Sequence, residues 1–218
     1  MSACKTPPRC TRRSLESPCV DAGPARYQRL SQAGQAGTHL LGKKFGQKEY
    51  VLTILRDVEN EVKRNPRLQH DFPWFDNVDL TEERGSNTPR LNGADKEKLA
   101  IATSVLQGIV QMDIDKFLIK GRSPPSRTDC RVLAFGQIRP AVVVTDDLGM
   151  HVLAKMAAIE IWHGHELLKK MLSAKLIGSQ LVRDIYEALE TNGDLQHSWR
   201  DAKHHTFIKI FGKTPERL

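Results

Sequence analysis

The stretch Ala141-Val142-Val143-Val144-Thr145-Asp146-Asp147 decides the fold that the sequence predicts. Residues 141–144 are a continuous apolar run directly after a proline, which is typical of a parallel strand buried on both faces. Thr145, Asp146 and Asp147 follow where that strand would end. Because ligand sites in open parallel sheets form at the carboxyl ends of the strands, this stretch indicates an α/β fold with a polar site after residue 144.

Helices and strands alternate on either side of this stretch. Strands are predicted at residues 50–52 and 159–162, with Thr53 as the N-cap of a helix that Asn65-Pro66 ends. Residues 71–94, with Pro73, Gly85 and Pro89, are predicted to be a loop. Further helices are expected at residues 95–112, 126–137, 150–157, 165–176, 179–191 and 198–210. This alternation predicts an α/β fold with a mainly parallel sheet.

The positive charge is concentrated at the front of the chain. The 218 residues carry a net charge of +7, and residues 1–48, with nine Lys or Arg and two acids, account for all of it. Nucleic acid is the usual partner of a basic arm, although from charge alone a solvated tail is the more common explanation. We predict a disordered tail at residues 1–18, one domain at 19–170 that is poorly defined over 19–48, and a C-terminal helical extension of that domain at 171–218.

Several classes of protein are excluded by composition. No apolar run reaches the roughly 18 residues that a membrane helix needs, and no secretory signal is recognisable. Four cysteines without a CxxC pair argue against a disulfide scaffold or a zinc finger. We therefore expect a cytoplasmic protein without a membrane partner.

Acidic residues on three predicted segments are candidates for chemistry. Asp147 either caps the helix that follows or belongs to a site, and Asp129, in the first turn of the helix at 126–137, suits the helix dipole. Glu61 lies at the edge of the buried face of the helix that ends at residue 65, whereas Glu59 lies toward the solvent side. Arg127 and Arg131 flank Asp129, where either could meet a phosphate or be solvated.

The order of these segments resembles the PIN domain family of metal-dependent ribonucleases. The matching features are a strand and a Glu helix, Thr128-Asp129 opening a helix with Leu133-Ala134, the run Val143-Val144-Thr145-Asp146-Asp147, a helix and Ile159-Glu160-Ile161-Trp162. The resemblance covers about residues 48–170. It implies a Rossmann-like PIN domain, with a mainly parallel sheet flanked by helices and extra helices at the C-terminus.

The resemblance also implies a set of site residues. The family's first acid matches Asp21 in Val20-Asp21-Ala22-Gly23-Pro24, a stretch that is equally suited to a surface turn. Carried over, the catalytic acids are Asp21, Glu61, Asp129 and Asp147, and together with Asp146 these four are the metal ligands. Thr145 would hydrogen-bond an acid or position a water. An oxygen-rich site of this kind suits Mg²⁺ or Mn²⁺.

The implied function is a metal-dependent endoribonuclease that hydrolyses RNA phosphodiester bonds, and more narrowly the toxin of a toxin–antitoxin pair. The expected partners are RNA, an antitoxin protein and a second copy of the chain in a homodimer. The alternative is a catalytically inactive PIN-like module that binds RNA or protein. A receiver-like or nucleotide-binding domain ranks third, since neither GxxxxGK nor GxGxxG occurs.

Other reactive side chains are given structural interpretations. His163-Gly164-His165 and His204-His205 have no Cys or acid at zinc spacing, so we expect surface or capping histidines. Cys130 stands at a helix start, where the pKa of its thiol could fall, but no partner histidine is identifiable and no thiol nucleophile is predicted.

Overall fold

The computed structural model describes residues 40–71, 73–118 and 123–213. This part of the chain is about 65% helix and 6% strand, so the predicted mainly parallel, Rossmann-like sheet is wrong. The strands form two separate two-stranded sheets, one antiparallel and one parallel. The predicted disordered tail at residues 1–18 lies outside the described residues, as does Asp21.

The elements follow one another in this order: β1 Lys44–Phe45, β2 Tyr50–Val51, α1 Arg56–Arg64, α2 Pro66–Asp71, a 3₁₀ turn Pro73–Asp76, α3 Val78–Asn87, α4 Gly93–Met112, α5 Ile114–Phe117, α6 Arg127–Ile138, β3 Val143–Val144, α7 Leu148–Met156, β4 Ile161–Trp162, α8 Gly164–Ser173, α9 Ser179–Asn192, α10 His197–His205 and α11 Ile208–Phe211. The helices at 95–112, 126–137, 150–157, 165–176 and 179–191 are confirmed within a few residues. The helix predicted at 198–210 is two helices.

The sheet prediction was wrong because the apolar runs are only partly strands. Within 141–144, Val143 and Val144 alone pair in a sheet, and the N–H of Ala141 bonds the carbonyl of Arg139 at 2.7 Å instead. The strand predicted at 50–52 is one arm of a hairpin, in which Tyr50 pairs with Phe45. A run of four apolar residues suits any buried segment, so it cannot by itself establish a strand.

The parallel pair β3–β4 determines which loops are neighbours. Val143 lies opposite Ile161 and Val144 opposite Trp162, and the N–H of Thr145 donates to the carbonyl of Trp162 at 3.0 Å. Both strands end at the same edge, so residues 145–147 lie beside residues 163 and 164. This is the edge at which the sequence predicted a site.

Helix ends explain both correct and wrong predictions. Ser126 and Asp129 form a reciprocal capping box at the start of α6, so the acid expected in the first turn also caps the helix. Thr53 is not an N-cap, because Leu55 precedes α1 and the Thr53 hydroxyl donates to the carbonyl of Asn87 at 2.7 Å. The predicted loop at 71–94 contains α3, whose N-terminus is capped by the Asn77 side chain.

Two hydrophobic clusters stabilise the described part of the chain. The first joins α4, α6 and α7 around Leu106, Leu133 and Leu153, each at most 1% exposed. The second joins the hairpin to α8–α11 around Tyr186 and Trp199, where the Tyr186 hydroxyl donates to the Trp199 carbonyl at 3.1 Å. None of the described helices has the length and apolar character needed to cross a membrane.

Candidate active site

Four predicted acids, Glu61, Asp129, Asp146 and Asp147, line one cavity of about 650 Å³. They come from three separate segments: α1, the start of α6 and the loop between β3 and α7. Ser123, Pro124, Pro125, Ser126 and Gln196 complete the lining. The structure therefore brings together every predicted site acid that it describes, although the predicted sheet is absent.

Asp146 is held by the neighbouring strand. Its Oδ1 accepts a hydrogen bond from the Gly164 N–H at 3.1 Å and lies 3.3 Å from Nδ1 of His163. Both partners follow β4, so the parallel pairing of β3 and β4 is what orients this carboxylate. Its Oδ2 has no hydrogen-bond partner among the described residues, which leaves one oxygen for a ligand.

Asp147 has the capping role that the sequence left open, and it also lines the cavity. Its Oδ1 accepts the Met150 N–H at 2.8 Å at the start of α7. The hydroxyl of Thr145 accepts the N–H of Asp147 at 3.2 Å. Thr145 thus fixes the backbone of an acid and not its carboxylate, which is a narrower role than the predicted one.

Asp129 likewise combines a cap with a place at the cavity. Its Oδ2 accepts the Ser126 N–H at 2.7 Å, and the Ser126 hydroxyl accepts the Asp129 N–H at 3.2 Å. Since each of these aspartates uses one oxygen for its helix, the other remains for solvent or a cation. Capping and ligation were alternatives in the sequence, but the geometry accommodates both.

Glu61 differs from these aspartates because its carboxylate makes no described hydrogen bond or ion pair. Partial burial raises the pKa of Glu61, and the nearby negative charge of Asp129 raises it further. The side chain is exposed toward the cavity, and no described cation compensates its charge. A glutamate that lies near another carboxylate without a counter-ion does not stabilise the fold through its charge.

The other acids of α1 are paired. Asp57 lies 2.9 Å from Nε of Arg131, which joins α1 to α6. Glu59 is not on the solvent side as predicted: its side chain is 14% exposed and it pairs with Lys63 at 2.7 Å and with the buried Arg84 at 3.8 Å. Arg131 is therefore committed to Asp57, whereas Arg127 has no described partner.

A stack of histidines beside Asp146 was missed by the sequence analysis. The rings of His151 and His163 lie 3.9 Å apart between centroids, and those of His163 and His165 lie 5.2 Å apart. The His163 N–H also donates to Oε2 of Glu166 at 2.7 Å, so the expected capping role is present. The available signal was the position of His163 directly after a strand, next to the acids that follow its neighbour.

Gly164 leaves the space in which Asp146 and the histidines meet. A Cβ on Gly164 would lie 2.7 Å from Cζ2 of Trp199 and 2.9 Å from Oδ2 of Asp146.

Burial lowers the pKa of His165, and the neighbouring His163 lowers it further. The ring of His165 packs edge-on to Trp199 at 5.9 Å, so this side of the site is closely packed.

Cys130 does not have the lowered pKa that its helix position suggested. It is 0% exposed, and burial raises the pKa of its thiol to about 11, with the charge of Asp129 adding to the effect. The dipole of the helix is outweighed by the loss of solvent around the sulfur.

The donor set suits a hard divalent cation. All the candidate ligands are carboxylates, and Mg²⁺ or Mn²⁺ prefers oxygen. Among the described residues, no three His, Cys, Asp or Glu side chains stand close enough to form a preformed ligand cluster. Mg²⁺ is usually held by one or two carboxylates together with waters and substrate phosphates, so a magnesium site does not require a preformed cluster of three ligands.

Comparison with known proteins identified no relative of this chain. No family model matches the chain, and no curated protein or solved structure is significantly similar to it. The resemblance to PIN domain ribonucleases stays a prediction that rests on the sequence motifs.

Proposed function

We propose that the protein is a Mg²⁺- or Mn²⁺-dependent endoribonuclease that acts in the cytoplasm on single-stranded or looped RNA. The observation that carries the proposal is the meeting of four carboxylates from three segments around one cavity, one of which, Glu61, has no partner among the described residues. Such a set is unfavourable until a cation neutralises it, and that is a common property of sites for phosphoryl chemistry.

The chain's own residues would orient the reacting groups. Asp129 and Asp147 each keep one oxygen on a helix N-terminus, so their carboxylates are fixed in direction. Asp146 is fixed by Gly164 and His163. A bound divalent cation would lower the pKa of water and neutralise charge that develops on the phosphoryl oxygens. Glu61, which is exposed and lines the cavity, would be free to ligate such a cation or to accept a hydrogen bond there.

The narrower assignment, a PIN-type toxin with an antitoxin and a homodimeric partner, is supported by the order of the sequence motifs alone. Asp21 would supply the first acid. A non-catalytic module that binds RNA or protein is the second candidate, and the absence of a preformed three-residue cluster in the described part of the chain favours it.

Cleavage of a mixed single-stranded RNA in Mn²⁺ tests the proposal. The arms are wild type, wild type with EDTA, Asp129→Asn and Ser126→Ala. Asparagine keeps an oxygen for the Ser126 N–H but loses the charge, whereas Ser126→Ala loses half of the capping box and keeps the acid. We expect cutting by wild type and Ser126→Ala only.

Two other results would contradict the proposal in different ways. RNA that binds and is never cut would favour the non-catalytic module. Cutting that persists in Asp129→Asn at the wild-type rate would mean that another site, or another protein, is responsible.

A further inference from the structure

A second cavity adjoins the acidic one. It has a volume of about 340 Å³ and lies at the end of α9 and along α10, lined by Glu190, Gly193, Leu195, Arg200, Lys203 and His204. Leu195 lines this cavity and the next residue, Gln196, lines the acidic cavity. The two cavities are therefore lined by consecutive residues of the chain, directly before α10 begins.

The charges of the second cavity are the opposite of those in the first. Its one carboxylate, Glu190, lies 2.5 Å from the ammonium group of Lys203. Nδ1 of His204 lies 3.3 Å from the carbonyl of Gly212, so this ring nitrogen is also engaged. Arg200 is exposed, and its guanidinium makes no described ion pair or hydrogen bond. After these pairings the cavity retains one uncompensated positive charge.

Arg200 stands out when the described arginines are compared. Four of them have partners within the chain. Arg131 pairs with Asp57, and Arg139 pairs with Asp95. Arg84 contacts Glu59 and Thr81, and Arg183 donates to the carbonyl of Ile210. Arg56, Arg64, Arg90, Arg127 and Arg200 have no described partner. Arg127 and Arg200 each lie within about one helical turn of a residue that lines the acidic cavity. Arg127 follows the lining residue Ser126, and the N–H of Arg200 bonds the carbonyl of the lining residue Gln196 at 3.1 Å.

A polyanion needs such cations beside an acidic site. The lining of the acidic cavity contains four carboxylates and no Lys or Arg, so phosphates next to the reacting one must be met outside it. Gln196 and Arg200 are four residues apart, about 6 Å along the helix axis, a distance that a single nucleotide can bridge. Arginine binds phosphate through its forked donors, and an unpaired guanidinium has these donors free.

We propose that the cavity along α10 binds the RNA strand where it leaves the acidic cavity, with Arg200 on a backbone phosphate. This inference rests on the proposed function and names how its substrate is held. The RNA strand would leave the acidic cavity in one direction only, past Gln196 toward the second cavity. Asp194 and Asp201 lie nearby, but Asp201 pairs with His197 at 2.8 Å and neither lines the second cavity.

The experiment measures RNA binding and not cleavage, so that the two proposals fail separately. Asp129→Asn protein in Mn²⁺ is titrated with a fluorescein-labelled single-stranded RNA between about 50 and 200 mM salt. Arg200→Ala and Arg200→Glu are compared with Arg90→Ala, an exposed arginine that lines neither cavity. Because Arg200 is exposed, its substitution leaves the core intact.

We expect Arg200→Ala to weaken binding about two- to fivefold and to reduce the slope of log K against log salt by about 0.7, the value for one phosphate contact on a single strand. Arg200→Glu should weaken binding further, and Arg90→Ala should not change the slope. An unchanged slope in Arg200→Ala, or no measurable binding by the parent, would overturn the inference.

The combination of this result with the cleavage assay separates the two proposals. If wild type does not cut RNA but Arg200→Ala lowers the slope, the ribonuclease proposal falls and the RNA surface stands. If wild type cuts RNA and the slope does not change, the ribonuclease stands and the strand does not pass along α10.

Discussion

The two sides of helix α1 use the same kind of side chain for different purposes. On one side, Glu59 is 14% exposed and pairs with Lys63 and Arg84. On the other side, two residues later, Glu61 faces Asp129 across the acidic cavity and has no described partner. The difference teaches that an acid whose charge is compensated by cations of the fold is structural, whereas an acid whose charge is left uncompensated indicates a ligand.

Glu59 matters because of what surrounds Arg84. The Arg84 side chain is 3% exposed, its guanidinium carbon lies 3.9 Å from the centroid of the Phe75 ring, and Nη2 donates to the Thr81 hydroxyl at 3.0 Å. Glu59 is the carboxylate that compensates this buried charge. A buried cation without a counter-ion is costly, so this side of α1 is constrained by stability.

Replacing Glu59 and Glu61 separately by glutamine should give the largest contrast in activity. Glu61→Gln removes a charge from the acidic cavity, and we expect RNA cleavage in Mn²⁺ to fall at least about 100-fold. Glu59→Gln should retain most of the wild-type rate at a temperature where it is folded. Equal losses in the two variants would show that α1 acts on activity through its folding alone.

The same two variants should differ in the opposite direction in stability. Glu59→Gln leaves Arg84 with Thr81 and Phe75 but without a carboxylate, and we expect the free energy of unfolding to fall by about 2 kcal/mol. Urea unfolding followed by circular dichroism measures this difference. A change below about 0.5 kcal/mol would mean that the ion pair at 3.8 Å contributes little.

Gly164→Ala tests the other wall of the site. The added methyl group would meet Trp199 and Asp146 at less than 3 Å, so we expect a loss of about 1–2 kcal/mol and slower cleavage because Asp146 must move. Gly108→Ala is the matched control, since its Cβ meets nothing within 4 Å and it should stabilise α4 by up to about 1 kcal/mol. Equal thermal stability of the two variants would contradict the close packing at Gly164.

The smallest expected effect concerns metal-free protein. Because the pKa of Glu61 is raised in the folded state above 4.5, the folded protein binds this proton more tightly than the unfolded chain does. The contribution of Glu61 to the free energy of unfolding is therefore lost as the pH rises through the pKa that Glu61 has in the folded state. At pH 7 in EDTA, Glu61→Gln should raise the Tm slightly, by less than about 3 °C, since solvent screens the exposed group.

The pH dependence supplies the control for that effect. The advantage of Glu61→Gln should shrink as the pH falls through the raised pKa of Glu61 and should vanish below 4.5, because the wild-type carboxyl takes up a proton in both states. A variant that is less stable than wild type at neutral pH would show that Glu61 has a structural partner after all.

Local signals explain how much of the molecule the sequence could predict. Helix α6 was predictable from its apolar residues and from Asp129 in its first turn, and α7 was predictable because Asp147 precedes it as a cap. The acids of the site were predicted from the order of the sequence motifs, and two of them also have the helix-capping role that was the alternative. The sheet was not, because a short apolar run does not say which partner, if any, it pairs with.

The residues that the sequence analysis missed depend on long-range contacts. His163 comes beside Asp146 only because β4 pairs in parallel with β3. The burial of Glu59 depends on Arg84, which lies on a helix, α3, that was predicted to be a loop. In both cases the sequence gives the type of the residue, but it does not show which distant residue the side chain contacts.

Binding of Mn²⁺ tests the central claim most directly, because it asks whether the acids act as one site. Isothermal titration of wild type, Glu61→Gln and Glu160→Gln compares an acid of the cavity with an exposed glutamate before β4, at the far end of the strand from the site. We predict that Glu160→Gln binds like wild type and that Glu61→Gln binds at least about tenfold more weakly. Equal affinity in all three proteins would contradict the account.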